Sequence, residues 1–200
     1  MAPRPAVLIS RLETIAASRL SQIVELEQEA FPACERFGAV LMQQQAALRT
    51  SGLLVAEMGS AFAGFLLFSR TASSGLIAKL AVCAHFRRCG VGSALLRHGI
   101  AELERPQRRG ATVSEILLHV DPAREEARQL YEAHGFNRAA LLPGYYTDAP
   151  GSTRAALLMR RLNPESHQQQ AESAPMIKAK RRREELDEHA GLGRTSLGVA

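Results

Sequence analysis

Apolar positions along the chain change spacing repeatedly, and the changes divide residues 6–162 into strand and helix candidates. Residues 6–13 (AVLISRLE) have the β-prone character of a first strand. Leu20, Ile23, Val24 and Leu26 then recur at helical spacing and predict a helix over residues 19–30. Ser18 or Ser21 serves as its N-cap, and Phe31-Pro32 ends it, since proline disfavours a helical residue before it. A second helix, rich in Ala, Leu, Met and Gln, spans roughly residues 37–48. Residues 53–58 and 62–69 flank the turn Gly59-Ser60 and read as a β-hairpin. A Ser/Gly turn at 73–75 leads into residues 76–84, the most apolar strand candidate.

Helical spacing returns at 92–103, with Leu95, Leu96, Ile100 and Leu103 on one face and Pro106 beyond the end. After a charged linker at 107–110 come the strand 115–120 (EILLHV) and the turn Asp121-Pro122. That turn opens a helix over 123–134, with Gly135 as its C-cap. Residues 137–142 and 153–162 form a final antiparallel pair around the loop 143–152. The predicted order is β-α-α-β-β-β-α-β-α-β-β, a mixed sheet with helices and not a doubly wound parallel one. From Asn163 onward apolar periodicity is lost, so residues 163–200 read as a disordered or marginally helical charged tail after a domain over 1–162.

Composition narrows the class. Hydrophobic residues at 46% and charged residues at 22% are ordinary for a globular protein. No apolar run approaches the ~18 residues of a membrane span, and the apolar start is too short for a signal peptide. Cys34, Cys83 and Cys89 are odd in number and read as reduced thiols in the cytoplasm. Neither they nor His85, His98, His119 and His134 sit at metal-ligand spacing, so no metal is expected. The net charge is +5, and the six Lys/Arg of the tail are matched by six Asp/Glu. The excess thus lies in the domain, as a polyanionic ligand requires. Nucleic acid is the lesser alternative, because recognition-helix and zinc-finger patterns are missing and aromatics are few. The basic run from Lys178 to Arg183 reads as a solvated tail or, alternatively, a nuclear-import signal.

The chemistry concentrates at Arg87-Arg88-Cys89-Gly90-Val91-Gly92, between a strand and a helix. Free amides at a helix N-terminus and the helix dipole make an anion site there, with two arginines beside it and glycines that let a ligand approach. A P-loop is excluded, because Gly-Lys-Ser/Thr is missing. The dinucleotide fingerprint fails on Leu95 and on the hairpin that precedes the loop. Arg-x-x-Gly-x-Gly remains, against the plainer reading of a glycine-rich turn with surface arginines.

With its flanks, this segment resembles the GCN5-related N-acetyltransferase (GNAT) superfamily over approximately residues 6–162. The first anchor is Leu80-Ala-Val82, then Arg87 to Gly92, then Ser93-Ala-Leu-Leu96; the second is Leu118-His-Val120, Ala127, Leu130-Tyr131-Glu132 and Gly135-Phe136. The resemblance implies an α+β fold with a mostly antiparallel mixed sheet, splayed between its fourth and fifth strands, where acetyl-CoA inserts. Val82 matches the position whose strand backbone faces the pantetheine arm, and Arg87, Cys89, Gly90, Val91, Gly92 and Ser93 match those at the pyrophosphate; Leu80 and Arg88 complete the expected cofactor-binding set, Arg88 adding charge beside the amides. Arg124 stands where the family often has a cofactor-contacting Asn, and as arginine it offers a phosphate contact instead.

Acetyl transfer requires a neutral amine, a stabilised oxyanion and a proton for the departing thiolate. His119, with a reference pKa of ~6.5, suits the base, directly or through water, and relatives place a proposed base, His or Glu, at that position. The plainer alternative is a satisfied core histidine. Tyr131 matches the family's general acid, against simple aromatic packing. Phe31, Pro32, Tyr145 and Tyr146 resemble the peptide slot of protein N-terminal acetyltransferases, including the bacterial enzymes that acetylate ribosomal proteins; the other reading is a staple and a hairpin brace. Some eukaryotic relatives carry a tyrosine where this chain has Leu76. The expected acceptor is a protein N-terminal α-amine, with a lysine or small amine, or a silent acetyl-CoA-binding module, as alternatives. An auxiliary subunit is compatible with this reading.

Overall fold

The computed structural model describes residues 6–106, 112–149 and 151–164. The fold below is that of the unit ending at Asn163. The linker at 107–110 and the run from Lys178 to Arg183 lie outside the described residues.

Among the described residues, seven strands form one sheet: β1 (Val7–Leu12), β2 (Ser51–Met58), β3 (Ala61–Arg70), β4 (Ser74–Val82), β5 (Glu115–Val120), β6 (Asn137–Ala149) and β7 (Ser152–Leu162). Their spatial order is β1-β2-β3-β4-β5-β7-β6. The α-helices among the described residues are α1 (Ala17–Ala30), α2 (Gly38–Ala47), α3 (Val91–Glu104) and α4 (Glu125–Ala133). The expected element order and the mixed sheet are both present. Every neighbouring pair is antiparallel except β4 and β5, and α3 lies in the long crossover that a parallel pair needs. Those two strands pair only between Ser74–Ile77 and Glu115–Leu118. Beyond Ile77 and Leu118 the parallel ladder stops, while His119 and Val120 stay paired with Leu158 and Leu157 of β7. The sheet therefore splays between its fourth and fifth strands.

Both faces of the sheet are covered, which is why β2 and β3 read as continuous apolar runs. On one face Ile23 and Leu26 of α1 and Met42 of α2 pack with Leu53, Val55, Phe65 and Leu67. On the other, Leu95, Leu96 and Leu103 of α3 pack with Leu54, Leu66, Ile116 and Leu118. These three α3 leucines are fully buried, each contributing roughly 1.5–3 kcal/mol by transfer from water. Among the described residues, no helix is long and apolar enough to cross a membrane.

Several boundaries differ from expectation, for local reasons. Neither Ser18 nor Ser21 caps α1: the N-cap is Ala16, and the Ser21 hydroxyl donates back to the Ala17 carbonyl at 3.2 Å. The strand expected over 76–84 starts and ends two residues earlier, and Ala84–Phe86 form a 3-10 turn. Helix α4 begins at Glu125, because Asp121 Oδ1 accepts the Ala123 amide at 2.9 Å and holds that segment as a turn. Most of the loop expected over 143–152 is strand. β6 runs past Pro143 and Gly144 (φ +68°) by slipping register between Leu142 and Tyr146, a bulge that absorbs both residues.

Candidate active site

The turn from β4 into α3 is shaped by two residues in left-handed conformations. Gly90, the N-cap of α3, has φ +84°, and open space surrounds it, so its backbone conformation requires glycine there. Arg88 has φ +58° and is the one non-glycine residue with positive φ among the described residues. Such strain gathers at ligand-binding turns. Ala94 donates to the Gly90 carbonyl at 2.9 Å, so the amides of Val91, Gly92 and Ser93 precede the helical ladder, and no side chain caps them. At Gly92 a Cβ would stand 3.3 Å from Leu130 Cδ2 and 3.6 Å from Val82 Cγ2, so glycine lets α3 pass β4 and α4 closely.

A cavity of about 780 Å³ lies against this turn, bordered by Leu80, Val82, Arg87, Arg88, Gly90, Gly92, Ser93 and Arg124. Val91 is buried in the core, so any contact it makes with a ligand runs through the backbone, and Cys89 is partly buried against the same core. Arg87 Nε donates to the Val82 carbonyl at 3.3 Å. Ser93 Oγ lies 2.9 Å from His134 Nε2, and His134 Nδ1 lies 2.8 Å from the Leu130 carbonyl. With Nδ1 donating to that carbonyl, Nε2 accepts from the serine.

A second cavity of about 710 Å³ is bordered by His119, Tyr131, Tyr145 and Tyr146, with Lys79 and Leu76. The two cavities share Phe31, Leu80, Arg124 and Ala127, so they are chambers of one cleft. Pro32 borders neither and instead precedes the 3-10 turn Ala33–Glu35.

In the second chamber the His119 ring stacks on Tyr145, centroids 4.6 Å apart, and Tyr145 meets Tyr146 edge to face at 4.9 Å. Burial lowers the His119 pKa below its ordinary 6.5. Burial also pushes the Tyr131 phenol up to about 12, and its ring sits edge-on to Phe136. Arg124 donates to Glu35 Oε2 at 3.1 Å and lies over the Phe31 ring, at the junction of the chambers.

Some charged groups in and behind this chamber were not singled out from the sequence: Lys79 and Glu35 border it, and Glu27 and Arg154 contact them from outside. Lys79 is buried, its ammonium 3.1 Å from Glu27 Oε1, donating to the Glu35 carbonyl, and 4.4 Å from the centres of both Phe31 and Phe37. A lone lysine inside the most apolar strand was the available signal. Glu27 and Glu35 are ordinary helix and turn residues in sequence, and Arg154 sits in a strand rich in arginine. Nothing local marks them.

Comparison with known proteins fits this arrangement. The sequence model of the acetyltransferase (GNAT) domain matches residues 49–138. An uncharacterised N-acetyltransferase of Methanocaldococcus jannaschii is 29% identical over 76% of this chain and 92% of its own length. The [ribosomal protein bS18]-alanine N-acetyltransferase of Escherichia coli K12 is 33% identical over 48% of this chain and 62% of that enzyme. The crystal structure of the ribosomal-protein-S18-alanine N-acetyltransferase from E. coli aligns with TM-score 0.63 and 26% identity, over 78% of this chain and 94% of that one. Arabidopsis thaliana NAA60 in complex with acetyl-CoA shares the fold, with TM-score 0.64 and 16% identity over 78% of this chain and 98% of that one. A splayed mixed sheet, a helix N-terminus open to an anion and these matches lead to one assignment: the chain carries an acetyltransferase domain of the GNAT family, and it is an acyltransferase.

Proposed function

We propose that the chain is an acetyl-CoA-dependent N-acetyltransferase whose acceptor is the α-amine at a protein or peptide N-terminus. The observation that carries this reading is the two-chambered cleft, with the turn from Arg87 to Ser93 at one end and His119 with three tyrosines at the other.

Acetyl-CoA, when bound, supplies an acetyl group activated as a thioester. The amides of Val91, Gly92 and Ser93 would hold its diphosphate, with Arg87 and Arg88 adding charge, and Leu80 and Val82 would border the pantetheine arm. His119, neutral at pH 7, takes a proton from the acceptor amine directly or through one water. Tyr131 serves the leaving sulfur. A phenol near 12 stands well above the ~8.5 of a thiol, so complete transfer of its proton is uphill. Its favoured service is to donate a hydrogen bond as charge builds on sulfur.

The α-amine is favoured over lysine on two grounds. Its reference pKa of ~8, against ~10.4, leaves more neutral nucleophile at pH 7. The E. coli relative is named for the alanine of a ribosomal protein, and the slot formed by Phe31, Tyr145 and Tyr146 suits an extended chain end. Full-length protein with labelled acetyl-CoA and a peptide library tests this, with free and blocked N-termini compared. Label on free N-termini is expected; label on blocked peptides alone would reassign the acceptor to lysine.

A further inference from the structure

Arg154 of β7 borders neither chamber, yet its guanidinium engages four residues that border the second one, Cys34, Glu35, Asp121 and Tyr146, and also Asp148 beside them. Nε and Nη2 fork onto Asp148, at 2.6 Å to Oδ2 and 3.0 Å to Oδ1. Nη2 also donates to Glu35 Oε1 at 3.0 Å, Nη1 donates to Asp121, and the guanidinium carbon lies 5.0 Å from the Tyr146 ring centre. These partners come from separate elements: Glu35 from the turn after α1, Asp121 from the loop before α4, and Tyr146 and Asp148 from the bulged β6. Glu35, whose side chain is 8% exposed, spends its other oxygen on Arg124 at the chamber junction. We infer that Arg154 is a positioning residue that fixes the walls of the acceptor chamber from behind; only its kinetic consequence rests on the acetyl-transfer reading.

The chemistry requires arginine in particular. A planar, permanently charged fork can address several carboxylates at once and still stack on a phenol, whereas lysine offers a single ammonium point. Without it, Glu35 would be a nearly buried carboxylate short of a partner, and Tyr146 would lose the group covering its ring. Asp148 answers the same geometry: the hydrogen bonds from Arg154 hold its carboxyl near 2, so the fork is ionised at all working pH values.

The test uses a property of the whole chain. It has three tyrosines and no tryptophan, and all three tyrosines border this chamber. Intrinsic tyrosine fluorescence therefore reports the chamber, whether or not turnover is measured. In the full-length protein, Arg154→Met should raise acrylamide quenching about twofold, and Arg154→Lys should fail to restore the wild-type value. Asp148→Asn, which keeps the guanidinium, should shift quenching the same way by less and guards against misfolding of the first variant. Acceptor KM should rise about tenfold in Arg154→Met, with acetyl-CoA affinity unchanged. Unchanged quenching in both variants, or an unchanged acceptor KM in an active Arg154→Met enzyme, overturns the inference. A wild type without turnover would sink the acetyl-transfer reading and leave quenching to decide this one.

Discussion

His119 and Tyr131 face one chamber from different elements, and the same cause moves their pKa values in opposite directions. Burial disfavours charge, so it lowers the imidazolium and raises the phenol. The sign of the first shift sets a pH profile. Because the folded pKa lies below 6.5, the ring is mostly unprotonated at neutrality, and the acid limb of kcat should have its midpoint below pH 6.5. His119→Gln should abolish that limb; a kcat falling with a midpoint above 6.5 would remove His119 as the base. Tyr131→Phe keeps the ring that packs against Phe136 and removes the hydroxyl. It should lower kcat about 100-fold and leave acetyl-CoA affinity within twofold, by steady-state kinetics and calorimetry. Equal turnover would assign Tyr131 to packing alone. Both residues were legible in the sequence, through their places in Leu118-His-Val120 and Leu130-Tyr131-Glu132. Glu35 and Arg154 were not, because partners 119 positions apart leave no local pattern.

Between elements, Lys79 and Glu27 are the costliest pair to place. The lysine rises from β4 and the glutamate from α1, with side chains 5% and 1% exposed. Glu27 also accepts the amides of Phe37 at 2.8 Å and Gly38 at 2.9 Å, where α2 begins without a side-chain cap of its own. One buried carboxylate thus links β4, α1 and the start of α2. Burial lowers the Lys79 pKa, opposed by Glu27, so the pair is sensitive to losing either member. Lys79→Met should destabilise the fold by about 3 kcal/mol in denaturant melts, because it strands a buried charge. A loss under about 1 kcal/mol would mean the two amides satisfy Glu27 unaided. The elements themselves were largely readable, since apolar spacing is a local property. The misplaced boundaries were those decided by single side-chain bonds, as at Asp121, or by a bulge, as at Gly144.

At the scale of the molecule, the cleft exists because β4 and β5 pair over four residues and then part. Periodicity predicted the strands and not the splay, which came from the family resemblance and is visible in the pairing register. The separation places one chamber at the start of α3 and the other beside the tyrosines, with Phe31, Leu80, Arg124 and Ala127 between them. Gly92 is the point where this architecture is most open to challenge, since its missing side chain faces Leu130, Val82 and Leu80. Leu130 Cδ2, the nearest atom, ends a side chain that can shift, so a larger residue is compatible with folding while bringing bulk and charge to the anion turn. Calorimetric titration of the full-length protein with acetyl-CoA, wild type against Gly92→Glu, decides whether this turn grips the cofactor, with circular dichroism confirming that the variant is folded. Saturable heat is expected for the wild type and its loss in the folded variant; no heat from the wild type, or equal affinity in both, would overturn acetyl-CoA binding at this turn.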